Sequence, residues 1–158
     1  MRRGEICALT WEDIDLEKGT ISINKALSDT PEKGVGYVVK STKTTAGKRI
    51  IRPPKRVMEL LKDADRNTGR ITKMDPCTLY KNYSKALESC GCPHYKFHAL
   101  RHYAVSVMLS LNIPKNYIAD FMGHEPENMI DQVYGHVMKD KRQEFEDRID
   151  GFYSGKKY

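Results

Sequence analysis

The segment His98-Ala-Leu-Arg101-His102 opens a stretch that ends in Met122-Gly-His124, and Tyr134 follows ten positions after His124. Between these segments, the spacing of apolar residues predicts a helix over residues 99–111. Pro114 can open a second helix that continues through residue 121, and Gly123 is placed to end it. The buried stripe predicted for the first helix consists of Leu100, Ala104, Val107, Met108 and Leu111.

This stretch also combines a hydroxyl, a guanidinium and imidazoles. Tyr134 offers an oxygen nucleophile, Arg101 a permanent positive charge, and His98 and His124 offer groups that titrate near neutral pH. Such a set suits the cleavage of a phosphodiester without a metal ion. An isolated tyrosine or histidine is more often structural than catalytic, so the interpretation depends on the segments upstream.

The first third of the chain predicts a small antiparallel sheet that follows the end of a helix over residues 3–9. Residues 11–16 and 20–24 alternate apolar and polar side chains around a Glu-Lys-Gly turn, which predicts a strand pair. Residues 37–40 and the returning residues 48–52 are further strand candidates for this small sheet. Pro53-Pro54 then ends it.

Helices account for most of the remaining sequence. Val57, Leu60, Leu61 and Ala64 recur at helical spacing after the prolines, and Asp75-Pro76 is a typical helix start. The helix that starts there is expected to end near Gly91. The predicted fold class is therefore α+β, mainly helical, with a small three-stranded antiparallel sheet near the N-terminus.

The composition of the chain indicates which class of partner it binds. The chain has 158 residues, a formal net charge of +6 and a pI near 9.1, which favour a polyanionic partner because lysines and arginines that neutralise phosphates release counterions. No run of about 18 apolar residues appears, so no membrane partner is expected. The absence of a leader pattern predicts a cytoplasmic protein.

The four cysteines, Cys7, Cys77, Cys90 and Cys92, are widely spaced and are expected to be reduced thiols. Cys90-Gly-Cys92-Pro-His94 invites a metal-site interpretation, but no second ligand pair stands at zinc-site spacing. The sequence therefore predicts no metal ion and no other cofactor.

Four segments, in this order, resemble the motifs of the tyrosine recombinases, the phage-integrase family of DNA breaking and joining enzymes. They are Arg2-Arg-Gly-Glu-Ile6 with Leu9-Thr-Trp-Glu-Asp-Ile14, then Lys43-Thr44 with Lys48-Arg-Ile50, then the segment at His98, and finally the segment from His124 to Tyr134. Together they cover nearly the whole chain. The resemblance implies the catalytic domain of an integrase of the kind that mobile elements carry.

The resemblance implies a role for six residues. Tyr134 would attack the phosphorus and form a covalent 3′-phosphotyrosine, and Arg2 and Arg101 would hold the non-bridging oxygens. The family motif places its arginine two residues before the Gly-Glu pair, which selects Arg2 over Arg3. Glu5 would hold this first motif in place through helix-terminal or ionic contacts.

The other three residues would handle protons and orientation. Lys43 would protonate the leaving 5′ oxygen from a hairpin, with Lys40 as its rival and simple phosphate contact as the alternative. His98 would accept the tyrosine proton or orient the phosphate, and His124 would donate a hydrogen bond to it. A further group of basic residues either contacts the DNA backbone or forms a solvated face: Lys40, Lys55, Arg56, Lys81 and Lys85.

The expected organisation is one catalytic domain over residues 1–150, lacking its first helices, followed by a flexible tail over residues 151–158. The expected partner is double-stranded DNA, bound by a monomer that forms a homotetramer in the DNA synapse. The gene is expected to be bacterial or phage-encoded and its product nucleoid-associated. Two alternatives remain, a type IB topoisomerase-like enzyme and a non-catalytic helix-turn-helix DNA-binding module.

Overall fold

The computed structural model describes residues 1–30, 36–41, 47–67, 69–123 and 146. Helices and strands follow one another over this part of the chain in the order α1 (Arg3–Ala8), β1 (Ile14–Asp15), β2 (Thr20–Ile23), β3 (Lys25–Asp29), β4 (Tyr37–Ser41), β5 (Arg49–Ile51), α2 (Lys55–Lys62), α3 (Pro76–Ser89), α4 (Ala99–Ser110) and α5 (Lys115–Met122). A short 3-10 helix, Trp11–Asp13, occupies the start of the first predicted strand. The mainly helical α+β class is confirmed.

The predicted three-stranded antiparallel sheet is present, with the strand order β1-β2-β5. In the central strand β2, Ile21 lies opposite Ile14 on one side and Ile51 on the other. The sequence did not predict β3, which pairs with β4 in a separate two-stranded antiparallel sheet. The predicted strand near residue 37 therefore belongs to this second sheet.

One core cluster lies between the three-stranded sheet and α2. Ile21, Ile23 and Ile51 pack there against Met58 of α2, all of them buried. The predicted stripe on this helix was wrong in part: Leu61 packs against the cluster, whereas Val57 and Leu60 are exposed because the helix presents Met58 to the sheet.

The start of α3 is as the sequence predicts. Asp75 Oδ1 accepts hydrogen bonds from the backbone N–H groups of Cys77 and Thr78 at 2.8 and 2.9 Å, which satisfies donors that have no partner within the helix. Pro76 occupies the first helical position. The helix ends at Ser89, and Gly91 adopts the left-handed conformation beyond it.

A second core cluster joins α4 to α5. Val105 and Leu109 of α4 pack against Ile118 and Met122 of α5, and all four are at most 2% exposed. The predicted stripe on α4 was wrong in part, because Leu100, Val107 and Leu111 are exposed. Packing against α5 turns the helix so that Arg101 shares the buried face with Val105 and Leu109.

Helix α1 lies close against β3. Cys7 and Ala8 pack with Leu27 of β3 in a third buried cluster. A Cβ atom added to Gly4 would collide with the carbonyl oxygen of Leu27, so this close approach requires glycine. Within the described residues, no helix is long and apolar enough to cross a bilayer.

Candidate active site

Arg2 stands at the N-cap of α1 and is held on two sides. Its backbone N–H donates to Glu5 Oε2 at 2.6 Å, and its Nη1 donates to Glu5 Oε1 at 3.0 Å. Its Nη2 donates to the carbonyl oxygen of Gly123 at 2.8 Å, at the C-terminal end of α5. The side chain remains 43% exposed, so part of the guanidinium is open to a ligand.

Glu5 is the buried anion of this region, with its side chain only 1% exposed. Burial alone would raise the pKa of Glu5, but hydrogen bonds from Arg49 and Arg2 outweigh that effect and hold the pKa below its usual range. The carboxylate therefore stays ionised and fixes the Arg2 side chain. These are the helix-terminal and ionic contacts that the sequence predicted for Glu5.

Arg101 lies in the first turn of α4 and is 4% exposed. Its Nη2 donates a hydrogen bond to the carbonyl oxygen of Met122. Burial, together with the positive charge of Arg2, lowers its pKa to about 10, which still leaves the guanidinium protonated at neutral pH. A permanently charged donor is thus held at the inner wall of the site.

Arg49 of β5 is a third arginine in this cluster, and the sequence did not predict it as a site residue. Its Nη2 and Nη1 donate to Glu5 Oε2 and Oε1 at 2.9 and 3.2 Å, and its Nε donates to the carbonyl oxygen of Phe121 at 3.0 Å. In the sequence analysis Arg49 stands within the second motif, Lys48-Arg-Ile50, without a role of its own. No local pattern marks a strand arginine as buried.

Three successive carbonyl oxygens at the end of α5 therefore accept from three different arginines. Phe121 accepts from Arg49, Met122 from Arg101 and Gly123 from Arg2. The last carbonyls of a helix have no partner within the helix, so these bonds satisfy acceptors that would otherwise need water. We call Arg2, Arg49, Arg101 and Glu5 the arginine cluster. Its four side chains carry three positive charges and one negative charge.

His98 lies at the N-cap of α4, exposed at the edge of the same region. Its ring meets the ring of His102 edge-on, with 4.9 Å between the centroids. Partial desolvation, and then the positive charges of His102, Arg101 and Arg2, lower its pKa from the usual 6.5. The imidazole is therefore neutral at neutral pH and able to accept a proton.

An open cleft of about 770 Å³ joins these groups. Its basic lining residues are Arg2, Arg3, Lys96, His98 and Arg101. Within the described part of the chain, its lining includes no acidic residue. Tyr80 of α3 also lines it, with Arg3 placed over its ring. The cleft therefore suits an anionic ligand with aromatic or sugar surfaces.

Three of the six predicted site residues, Arg2, His98 and Arg101, thus line one cleft. Lys43, His124 and Tyr134 lie outside the described residues. Among the described residues, no group of three or more histidine, cysteine or acidic side chains is arranged to hold a metal ion. Within the same part of the chain, Cys90 and Cys92 are exposed free thiols, and His94 contacts Tyr80 instead.

A family model described as the phage integrase family matches residues 1–141 of the chain. The chain belongs to the phage integrase family. A tyrosine recombinase XerC-like protein of Caldanaerobacter subterraneus is 26% identical over 87% of the chain and 43% of its own length. The integrase of Staphylococcus phage L54a is 28% identical over 95% of the chain and 48% of its own length. This integrase-family chain therefore spans less than half the length of these two curated relatives.

Solved structures of integrase-family proteins have the same fold. The structure of the Tn1549 transposon integrase in complex with transposon right end DNA superimposes with a TM-score of 0.75 and 19% sequence identity. The match covers 95% of this chain and 55% of the integrase chain. The XerA recombinase superimposes with a TM-score of 0.64 and 18% sequence identity, and the match covers 91% of this chain and 53% of the XerA chain. The fold predicted from the sequence motifs is therefore that of tyrosine recombinases.

Proposed function

We propose that this chain is the catalytic domain of a tyrosine recombinase that integrates or excises a mobile DNA element. The observation that carries the proposal is the convergence of Arg2, Arg101 and His98 on one basic cleft in a member of the phage integrase family. Residues 1–150 would form this domain, with residues 151–158 as its tail. Double-stranded DNA is the expected ligand, supported by the transposon integrase that was solved with transposon end DNA.

The proposed reaction is a transesterification at phosphorus. The Tyr134 hydroxyl oxygen bonds to the phosphorus as the bond to the 5′ oxygen breaks, which leaves the 3′ end on the tyrosine. Arg2 and Arg101 hold the non-bridging oxygens, since both residues line the cleft and a guanidinium offers a charged, two-pronged donor to phosphate. The developing negative charge is thereby met by donors that folding has already placed.

Proton transfers complete the step. The neutral imidazole of His98 accepts the tyrosine proton, Lys43 supplies a proton to the leaving 5′ oxygen, and His124 donates a hydrogen bond to the phosphate. In the second step the 5′ hydroxyl of a partner strand attacks the phosphotyrosine, and the tyrosine leaves with a proton. No bond energy is lost between the steps, so the exchange needs no nucleotide.

Assembly and location follow from this function. Strand exchange between two duplexes needs four active sites, so we infer a homotetramer in the DNA synapse that forms from monomers. The DNA of a bacterial cell is the expected substrate, which would place the protein in the cytoplasm, at the nucleoid. A relaxing enzyme of the topoisomerase IB class and a non-catalytic helix-turn-helix module are not favoured by the integrase relatives.

The test is capture of the covalent intermediate. Nicked duplexes that tile the DNA on both sides of the gene are incubated with the chain, and denaturing gels detect protein joined to DNA. Tyr134→Phe should abolish the adduct while duplex binding remains, and the matched control Tyr103→Phe, an exposed tyrosine of α4, should leave it unchanged. A chelator should have no effect. An adduct that survives in Tyr134→Phe, or that depends on a divalent metal, would refute the mechanism.

A further inference from the structure

We propose that Arg49 is a positioning residue for strand cleavage, an inference that depends on the proposed recombinase function. Arg49 is not one of the residues that line the cleft. It acts through Glu5, whose carboxylate orients Arg2, and through the end of α5, which carries the acceptors of Arg2 and Arg101. The sequence motifs and the proposed chemistry leave this residue without a role.

The geometry makes Arg49 the link between three parts of the site. Its guanidinium donates to both oxygens of Glu5 and, through Nε, to the carbonyl of Phe121. One side chain thereby fixes α1, β5 and the end of α5 relative to one another. With 6% of the side chain exposed, Arg49 has little access to DNA, so its contacts serve the protein.

Glu5 is oriented by this link. Both carboxylate oxygens accept from Arg49, and each also accepts once from Arg2, through its backbone N–H or its Nη1. A carboxylate held by a rigid two-pronged donor keeps one rotamer, and Arg2 then meets the cleft in one orientation. Without Arg49, Glu5 would be free to turn, and the half-exposed Arg2 would lose its fixed partner.

By fixing Glu5 and the end of α5, Arg49 sets the positions of Arg2 and Arg101. The exact position of such groups matters because a misplacement of about 1 Å can slow a reaction on the order of 100-fold.

The test compares single-turnover adduct formation and duplex affinity in a set of variants. Arg49→Gln should slow adduct formation on the order of 100-fold. Duplex affinity, measured in the Tyr134→Phe background, should stay unchanged. The matched control is Arg52→Gln, an exposed arginine three residues further along, which should cleave at the wild-type rate. Unfolding temperatures establish that each variant is folded under the assay conditions.

A double-mutant cycle separates positioning from general weakening of the fold. If Arg49 acts through Glu5, the variant with both Arg49→Gln and Glu5→Gln should be no slower than the slower single variant. Arg49→Lys keeps the charge but lacks the two-pronged donor, so it should fold and restore only part of the rate, about tenfold below wild type. If Arg49→Gln does not fold, the rate of adduct formation in Arg49→Lys alone tests whether Arg49 is a positioning residue.

The outcomes distinguish this inference from the function on which it depends. A wild-type chain that forms no adduct with any duplex overturns the proposed function. A wild-type chain that cleaves, together with a folded Arg49→Lys or Arg49→Gln that cleaves equally fast, overturns only the role of Arg49. Fully additive losses in the cycle, or a loss confined to duplex affinity, would also overturn it.

Discussion

Arg2 Nη2 donates a 2.8 Å hydrogen bond to the carbonyl oxygen of Gly123, a residue 121 positions further along the chain. Gly123 ends α5 in the left-handed conformation, and His124 follows it directly. The first motif is thereby hydrogen-bonded to Gly123, the residue that precedes the fourth motif. This contact brings two segments that are far apart in sequence next to each other.

Arg101→Lys should slow adduct formation on the order of 100-fold or more, because an ammonium cannot hold the Met122 carbonyl and two phosphate oxygens at once. Duplex binding should change little. The measurement is the single-turnover rate of the covalent adduct. Arg66→Lys, an exposed arginine over the Trp11 ring, is the control and should have no effect. Equal rates in both variants would remove Arg101 from the mechanism.

Adduct formation should fall on the acid side with an apparent pKa below 6.5, because the pKa of His98 is lowered and its neutral form accepts the proton. The rate would be followed from about pH 5 to 8, the range in which histidines titrate. His98→Gln should remove this limb of the profile, whereas His94→Gln, a histidine that contacts Tyr80, should keep it. An apparent pKa above 6.5 for the acid limb, or an acid limb that is unchanged in His98→Gln, would contradict the role of His98 as proton acceptor.

Glu5 predicts how stability depends on pH. Because its folded-state pKa is lowered, its contribution to the free energy of unfolding is fully present above the unfolded value of 4.5 and is lost as the pH falls through the folded value. Denaturant unfolding from about pH 7 to 3 should show a loss of stability that is smaller in Glu5→Gln. The exposed Glu12→Gln should behave like wild type. Identical pH dependence in all three proteins would refute the ionised, buried Glu5.

Gly4→Ala should lower the free energy of unfolding by about 1–3 kcal/mol, since its new methyl group would collide with the backbone of Leu27. The shift of α1 should also displace Arg2 and slow cleavage. Gly69→Ala, where the added carbon meets no atom within 4 Å, should change stability by less than about 0.5 kcal/mol. Urea unfolding measures the free energy of unfolding of both variants. Equal stability of the two variants would show that α1 does not need this close approach.

Binding of the chain to duplex DNA should be weak and strongly dependent on salt, because the cleft offers charges but the chain spans under half the length of two curated relatives. Lys96→Gln should reduce the slope of log affinity against log salt by about 1. Lys18→Gln, which is exposed on the β1–β2 turn and pairs with Asp15, should leave the slope unchanged. Tight binding that is independent of salt would contradict the proposed electrostatic cleft.

Local chemistry explains which parts of the fold were predictable from the sequence. The start of α3 depends on two neighbouring residues, Asp75 and Pro76, and was predicted correctly. The buried face of α4 depends on α5, and because α4 carries apolar residues on most sides, its periodicity favoured Leu100 and Leu111 over Val105. Strand β3 lacks clear alternation and exists through its pairing with β4.

The residues of the candidate site also divide into those marked by a local motif and those set by contacts between distant segments. Arg2, His98 and Arg101 were found because each stands in a short motif of characteristic spacing, and the structure brings them to one cleft. Arg49 was missed as a site residue because its partners, Glu5 and Phe121, are far away in sequence. A buried ion pair between distant segments leaves no periodic signal in the chain.

The end of α5 also has a consequence for the arginine cluster in the absence of a ligand. The three guanidinium groups repel one another, and the single carboxylate of Glu5 balances only one of their three charges. The C-terminal end of a helix carries the equivalent of about half a negative charge, and here Phe121, Met122 and Gly123 present it to the arginines. The helix end thus serves as a built-in counterion. Under the proposed function, a phosphate that enters the cleft would meet guanidinium groups that folding has already brought together.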